Sequence, residues 1–395
     1  TCALPISGRR CVQRETEVRL HRIFDPIHQK VLEDYAGIRI GRYTTKAPTA
    51  LKDRLYPNLF ALPQVDSLMV GDLTGSQFLV MRYTPAVLAS SLLAPVAAEL
   101  PAPPSGAALQ FFTRDFRPAD WGENSHWTLW DEVGRTAVRS WELPLPGYDG
   151  RRRPWHRAAM ARFADIPLDQ AYQAGDHLVA WTDVYPLFTT GKPGISASIA
   201  GRDPAGRVLI VAYDLLLDEI AQFTSSARPS AHGQLLVLTD DGRLLGPPRD
   251  DRPDAETRRA AALIQPLAPE AYPTAATAVA EWQRHHGRAA GRFPARIDGA
   301  VWWSSFAPFE IGAGRLLWVG VLVPETDLVP AAVEHQRTIL VAGWLARRFG
   351  TPLAALAGQA RRLAELDLSP SPEIQSPIAE LAARARGGGA WLAPL

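Results

Sequence analysis

Pro193-Gly194-Ile-Ser-Ala-Ser-Ile-Ala-Gly201-Arg-Asp203-Pro-Ala-Gly206-Arg207-Val-Leu-Ile-Val-Ala-Tyr213-Asp214 holds two apolar runs on either side of a short polar break. Pro after Asp presets the backbone of a turn, and Gly two positions on accepts a positive φ. The spacing predicts strands over 194–200 and 207–213, joined by the turn Asp203–Gly206. The same grammar recurs upstream, where Asp66–Asp72 and Ser76–Tyr83 flank Asp72-Leu-Thr-Gly75. It recurs downstream, where Gly233–Thr239 and Arg243–Leu245 flank Asp240-Asp-Gly242. Further strands are predicted over 109–113, 127–130, 136–141 and 177–183, and over 291–297, 300–308 and 315–323. Helices are predicted over 153–163, with Pro154 in its first turn, over 214–223, with Asp214 as a candidate N-cap, and over 255–284. Antiparallel strands interrupted by helices, laid out twice, define an α+β protein with tandem modules. Alternating strand–helix–strand units with a glycine fingerprint are absent, which argues against a doubly wound sheet.

Ahead of the strands, Leu20, Ile23, Phe24, Ile27, Val31, Tyr35 and Ile38 recur at three- and four-residue steps. That is the period of a long helix over 14–46, which Pro26 is expected to bend or break. A second short helix is expected over 51–59. Residues 1–13 are set aside as a junction. The first sheet module is expected to fill 47–224 and the second 225–330, with an exit helix and a short apolar stretch over 331–349. Thr338–Ala346 is about half the roughly 20 residues that cross a bilayer. In the tail, 350–388, Leu353, Leu356, Ala360 and Leu363 form a narrow helical seam, and Ile378 and Leu381 begin another.

Composition narrows the function. The 395 residues carry a formal net charge of +1, with 47% hydrophobic and 21% charged residues. That is a folded protein with no electrostatic case for nucleic acid. The two cysteines, Cys2 and Cys11, have no metal-site spacing, and His285-His286 lacks a third ligand. Gly-x-Ser-x-Gly, a phosphate loop and His-Glu-x2-His are all missing. Ser196, His156 and Asp183 suggest a hydrolase only on paper. No cofactor is implied.

The chemistry gathers between Tyr148 and Asp214. Arg153 offers a planar fork for a carboxylate. Tyr148, Trp155, Trp181 and Tyr185 supply walls, and Asp214 an acid for a cation. The structural alternatives are a surface arginine, core aromatics, a capping Asp214 and a packed rather than titrating His156.

Tyr148-x4-Arg153-x-Trp155, then Trp181-x3-Tyr185, Gly194-Ile-Ser, and Asp-x2-Gly before a strand ending in Asp214 resemble the double Cache sensor domain of bacterial transmembrane receptors. The tail, with Pro352 and Ile378-Ala-Glu380-Leu381, resembles a HAMP relay. The likeness spans about residues 14–386. It implies two PAS-like modules on one long helix, the membrane-distal one holding the ligand. It also implies a homodimer in the inner membrane, with residues 14–335 periplasmic and the tail cytoplasmic. Tyr148, Arg153 and Trp155 would hold a ligand carboxylate, and Tyr185 and Asp214 its amine. Two positions depart from the pattern: His156 replaces an aromatic, and Leu187 replaces a second acid. A carboxylate without an amine is therefore expected as readily as an amino acid. The chain contains no catalytic output domain of the cyclase or kinase type on this reading. A solute-binding or scaffold protein without signalling output is the alternative, and a secreted hydrolase the third.

Overall fold

The computed structural model describes residues 5–328 apart from 105–109, 132–133, 166–174, 264, 287–288 and 313. The exit helix beyond 328, the apolar stretch 338–346 and the HAMP-like tail lie outside the described residues. Ile6–Asp327 makes one compact unit. It is α+β: a long helix followed by two antiparallel sheets with helices packed on them.

Helix α1, Pro5–Arg39, takes in residues 5–13, set aside above as a junction, and runs through Pro26 without ending. Leu20, Phe24, Ile27, Val31 and Ile38 are buried along one stripe, so tertiary packing offsets the hydrogen bond that proline removes. Helix α2, Pro48–Ala61, likewise passes through Pro57.

The first sheet collects β1 (Val65–Asp72), β2 (Gln77–Arg82), β3 (Phe111–Phe116), β4 (Asn124–Trp130), β5 (Ala137–Pro144), β6 (Ala180–Trp181), β7 (Tyr185–Pro186), β8 (Pro193–Arg202) and β9 (Val208–Leu216). Its nine strands run in the order β5-β4-β3-β2-β1-β9-β8-β6, with β7 also on β8. The expected hairpins are present: Gly75 and Gly206 adopt positive φ, and Asp72 Oδ1 accepts from the Thr74 amide at 2.8 Å. One-turn helices α3 (Pro85–Leu88) and α4 (Pro118–Trp121) sit in connections. Helix α5, Pro154–Asp165, lays Trp155 and Ala159 on the inner face of this sheet, against Met69, Leu79, Met81, Phe112, Trp127 and Ala212. Where a strand over 177–183 is expected, a 3-10 turn at Gly175–Leu178 precedes the two-residue β6.

Helix α6 begins at Asp218, not Asp214: the strand β9 continues through Leu216 and Leu217 holds the cap position. The capping role for Asp214 is therefore overturned. Its amide and carbonyl belong to the sheet, opposite Ser67 and Ser196.

The second sheet, five strands in the order β11-β10-β14-β13-β12, is built from β10 (Gln234–Thr239), β11 (Leu244–Gly246), β12 (Gly291–Ile297), β13 (Ala300–Gly312) and β14 (Arg315–Pro324). Helices α7 (Ala255–Ala262) and α8 (Pro273–His286) come between β11 and β12. Trp282 of α8 stacks on Phe306 at 4.6 Å and leans on Trp318 at 4.8 Å.

Candidate functional site

Side chains alternate across a strand, and residues directly opposed on neighbouring strands share a face. Ser67 is opposite Asp214, which is opposite Ser196; Gly71 is opposite Gln77, and Leu79 opposite Arg114. One face of the first sheet thus carries a row of polar residues, Ser67, Gln77, Arg114, Ser196 and Asp214, beside an apolar patch. The 3-10 turn before α5, α5 itself and the turn after β7 cover that row. Together with Tyr185 of β7 they bring Tyr148, Arg153, Trp155, Leu187 and Phe188 over it. The space left among these side chains is about 20 Å³, room for about one water.

At one end stands Asp214, buried. It accepts hydrogen bonds from Ser67 Oγ at 2.9 Å, from Tyr185 OH at 3.3 Å and from Ser196 Oγ. Burial holds its carboxyl above the usual range, while those hydroxyls and the Arg153 charge pull it back down. Burial and the Asp214 charge push the Tyr185 phenol well above its ordinary value, so it donates rather than ionises. Asp66, next along β1, is pushed up to about 7 by burial and by the Asp214 charge.

At the other end are two guanidinium groups. Arg153 is half-buried, donates from Nη2 to the Pro186 carbonyl at 2.9 Å, and lies 5.3 Å from the Tyr185 ring centre. Arg114 is 1% exposed. Its Nη2 donates to Gln77 Oε1 at 2.8 Å and to Tyr148 OH at 3.2 Å, and Tyr148 OH donates in turn to the same Gln77 oxygen. Phe188 spans both, 5.6 Å from the Arg114 guanidinium and 5.7 Å from that of Arg153. Its ring also meets Tyr148 at 4.4 Å.

The structure brings together five of the seven residues picked from the sequence: Tyr148, Arg153, Trp155, Tyr185 and Asp214. Trp181 is elsewhere, for a reason of register. It is opposite Ala197, one residue from Ser196, so it points to the other face and packs edge-on against Phe24 of α1 at 5.3 Å. His156, one step round α5 from Trp155, also leaves the cavity and lines an outer groove with Leu73 and Arg157. Burial depresses its pKa, against a hydrogen bond with the Asp72 backbone, so it is a neutral packed imidazole. Arg114, Gln77 and Ser67 are lining or supporting residues that motif spacing did not single out, and Ser196, the serine of the Gly194-Ile-Ser motif, supports Asp214.

No protein-family model matches the chain. Over 335 residues it is 24% identical to adenylate cyclase 1 of Rhizobium meliloti (strain 1021), a match covering 81% of this chain and 45% of that protein. The chain thus spans less than half the length of the curated relative it matches. Among solved structures it is similar to the ligand-binding domain of an amino-acid chemoreceptor of Pseudomonas aeruginosa PAO1 in complex with GABA. That match has 16% identity and a TM-score of 0.41, over 80% of this chain and 94% of the other. A methyl-accepting chemotaxis protein matches at 13% identity and a TM-score of 0.45, over 80% and 96%. The ligand-binding domain of a Pseudomonas fluorescens chemoreceptor in complex with L-leucine matches at 16% identity and a TM-score of 0.40, over 81% and 99%.

Among the described residues, no group of three or more His, Cys, Asp or Glu side chains is placed to hold a metal ion. No described helix is long and apolar enough to cross a membrane.

Proposed function

We propose that this chain is the ligand-sensing part of a bacterial membrane receptor of the double Cache type, and that its first sheet module binds a small carboxylate. The observation that carries the reading is the convergence of Arg153, Tyr148, Trp155, Tyr185 and Asp214 on one cavity. Buried polar groups are costly unless partnered, and a packed core has no use for a guanidinium and a hydroxyl-ringed acid facing a common space.

Arg153 is the fork for the carboxylate, with Tyr148 and Trp155 as walls. Leu187, buried where a second acid is expected, lines the same cavity and gives an ammonium group no further anion. The cavity is too small for any organic acid as it stands, so binding moves its lining. Phe188 is 37% exposed and sits on a turn, which makes it the cap that swings aside.

The route outward starts at the next residue. Tyr213 precedes Asp214 on β9 and so faces the opposite side, where it donates to Asp34 of α1 and accepts from Asn58 Nδ2 at 2.9 Å. Tyr43 donates to the same Asp34 at 2.5 Å. A ligand that draws Asp214 inward therefore acts on a strand bonded to the long helix, and differential affinity for two positions of that strand is all that signalling requires. Dimerisation, a periplasmic position, the membrane segment and the HAMP relay belong to this proposal. So does a catalytic output such as a cyclase, a name that is the relative's own.

Titration of the full chain with a panel of short carboxylic and amino acids tests the reading. We expect at least one to bind and Arg153→Ala to weaken it by about a hundredfold, the cost of removing one partner of a buried charge pair. Binding unaffected by Arg153→Ala sinks this site.

A further inference from the structure

We infer that the ligand carries two anionic groups, and that Arg114 holds the second. The inference rests on the carboxylate reading of this same cavity and narrows it to a class of compound.

Arg114 lies on β3, whose inner-facing neighbours are Phe112 and Phe116; all three are buried. A guanidinium in that position has left water almost completely. Among the described residues it meets neutral oxygens only: its Nη2 is shared between Gln77 and Tyr148, while Nε and Nη1 have no acceptor. No carboxylate among the described residues pairs with it. The rings of Trp127, Tyr148 and Phe188 lie 5.6, 5.0 and 5.6 Å from its guanidinium carbon. Such contacts soften the burial of a cation but do not supply acceptors for its N–H groups. Ordinary cores place buried arginines against acids. Here the acid is missing, two donors are unused and the residue lines the cavity.

Structural duty does not account for this arginine. Gln77 and Tyr148 already bond each other, so neither needs it. A Leu or Met in its place would complete the aromatic patch without a desolvated charge. What a guanidinium adds is a planar pair of N–H donors for an anion.

Arg153 is a second fork lining the same cavity, and Phe188 lies within cation–π distance of both. Two guanidinium groups thus converge under one cap. The acids nearby do not cancel them. Asp214 is engaged by three hydroxyls, and burial biases both it and Asp66 toward the neutral form. A compound with one carboxylate satisfies one arginine and leaves the other as it was. A compound with a carboxylate at each end of a short chain satisfies both, and a terminal ammonium would be driven toward a cation.

Three acids of the same length separate these cases: succinate, butyrate and GABA end in an anion, a methyl group and a cation beside the common carboxylate. Calorimetric titration of the full chain should give succinate the tightest binding, by about tenfold or more over the other two. In Arg114→Leu that advantage should vanish. Arg114→Lys, which keeps a charge but not the fork, should retain part of it. Glutarate against valerate repeats the comparison one methylene longer. Butyrate or GABA binding as tightly as succinate overturns the two-anion inference and leaves the carboxylate site standing. A succinate preference that survives in folded Arg114→Leu removes Arg114 as its holder. If Arg114→Leu does not fold, the wild-type ranking alone decides. Folded wild-type protein that binds none of the five acids overturns both this inference and the carboxylate reading.

Discussion

The two sheets of this chain follow one plan and are filled in opposite ways. The inner face of the second is closed by stacked aromatics: Trp282 and Phe293 both stack on Phe306. The inner face of the first carries Ser67, Gln77, Arg114, Ser196 and Asp214 in addition to its apolar patch. Among the described residues, the buried charged residues Asp34, Lys52, Asp66, Arg114, Asp115, Asp203 and Asp214 precede the second sheet in the chain, while the largely covered carboxylates of Asp250 and Asp327 in the second module are each paired with a basic side chain. Apolar filling alone is enough to hold such a sheet against its helices. The polar filling of the first sheet is therefore best explained by what it binds, and the second sheet serves as an internal control for what stability alone requires.

The comparison breaks most visibly at Trp282. It is buried in the second core, and its indole N–H donates to the Ala289 carbonyl at 2.8 Å. Trp282→Ala should cost about 3–5 kcal/mol of unfolding free energy through the cavity it leaves. If the second sheet is structural, succinate affinity of the folded fraction should stay within about threefold. Denaturant melts followed by titration below the transition check both halves. A large loss of affinity in folded protein would make the second core part of the binding machinery.

Acidity separates the sheets next. Asp66 is buried, one oxygen has no partner among the described residues, and burial first of all lifts its carboxyl from 3.8 to about 7. Asp214 and Asp218 raise it, and Arg82 and Lys192 oppose them. With the folded-state value above the unfolded one, the native protein binds a proton that the unfolded chain has lost. Stability from this group is present below about 4 and falls as pH rises to about 7, by at most about 1.4 kcal/mol per pH unit. Asp34, also raised by burial, adds in the same direction. The melting temperature of wild type should therefore fall between pH 4 and 8 more steeply than that of Asp66→Asn, whose profile is flatter. Identical profiles would remove Asp66 as the source.

The sequence reveals the fold because hairpin turns and strand periods are local. Asp72–Gly75, Asp203–Gly206 and Asp240–Gly242 all turn where their residue types require. Legibility fails where packing overrides local preference. Pro26 and Pro57 stay inside helices that buried stripes hold in place, and Asp214, a good N-cap by type, is carried on through the strand by its partners Ser67 and Ser196. At the site, three of the residues found by spacing, Tyr148, Arg153 and Trp155, sit on segments that cover the sheet, and two, Tyr185 and Asp214, sit on its strands. Trp181 was misplaced because one register step decides its face. Arg114 was available in principle: in Phe111-Phe-Thr-Arg114-Asp-Phe116 the alternation puts a charge between two inward phenylalanines, a violation of core patterning that marks function.

Two glycines give the finest test. A methyl group at Gly71 of β1 would lie 2.8 Å from Cη2 of Trp155; one at Gly320 of β14 would lie 2.7 Å from Phe306 and 2.8 Å from Leu236. Both glycines let an aromatic ring settle onto its sheet, and neither is needed for a positive φ. Alanine at either position forces a buried ring to shift, at a cost of about 1–3 kcal/mol. The consequences for binding should differ. Trp155 is a cavity wall, so its displacement in Gly71→Ala should change succinate affinity by about tenfold, beyond what stability explains. Phe306 stacks only within the second core, so Gly320→Ala should lower the melting point and leave affinity alone. Equal effects on affinity would mean that the two cores move as one body, and the division between a binding sheet and a supporting sheet would have to be abandoned.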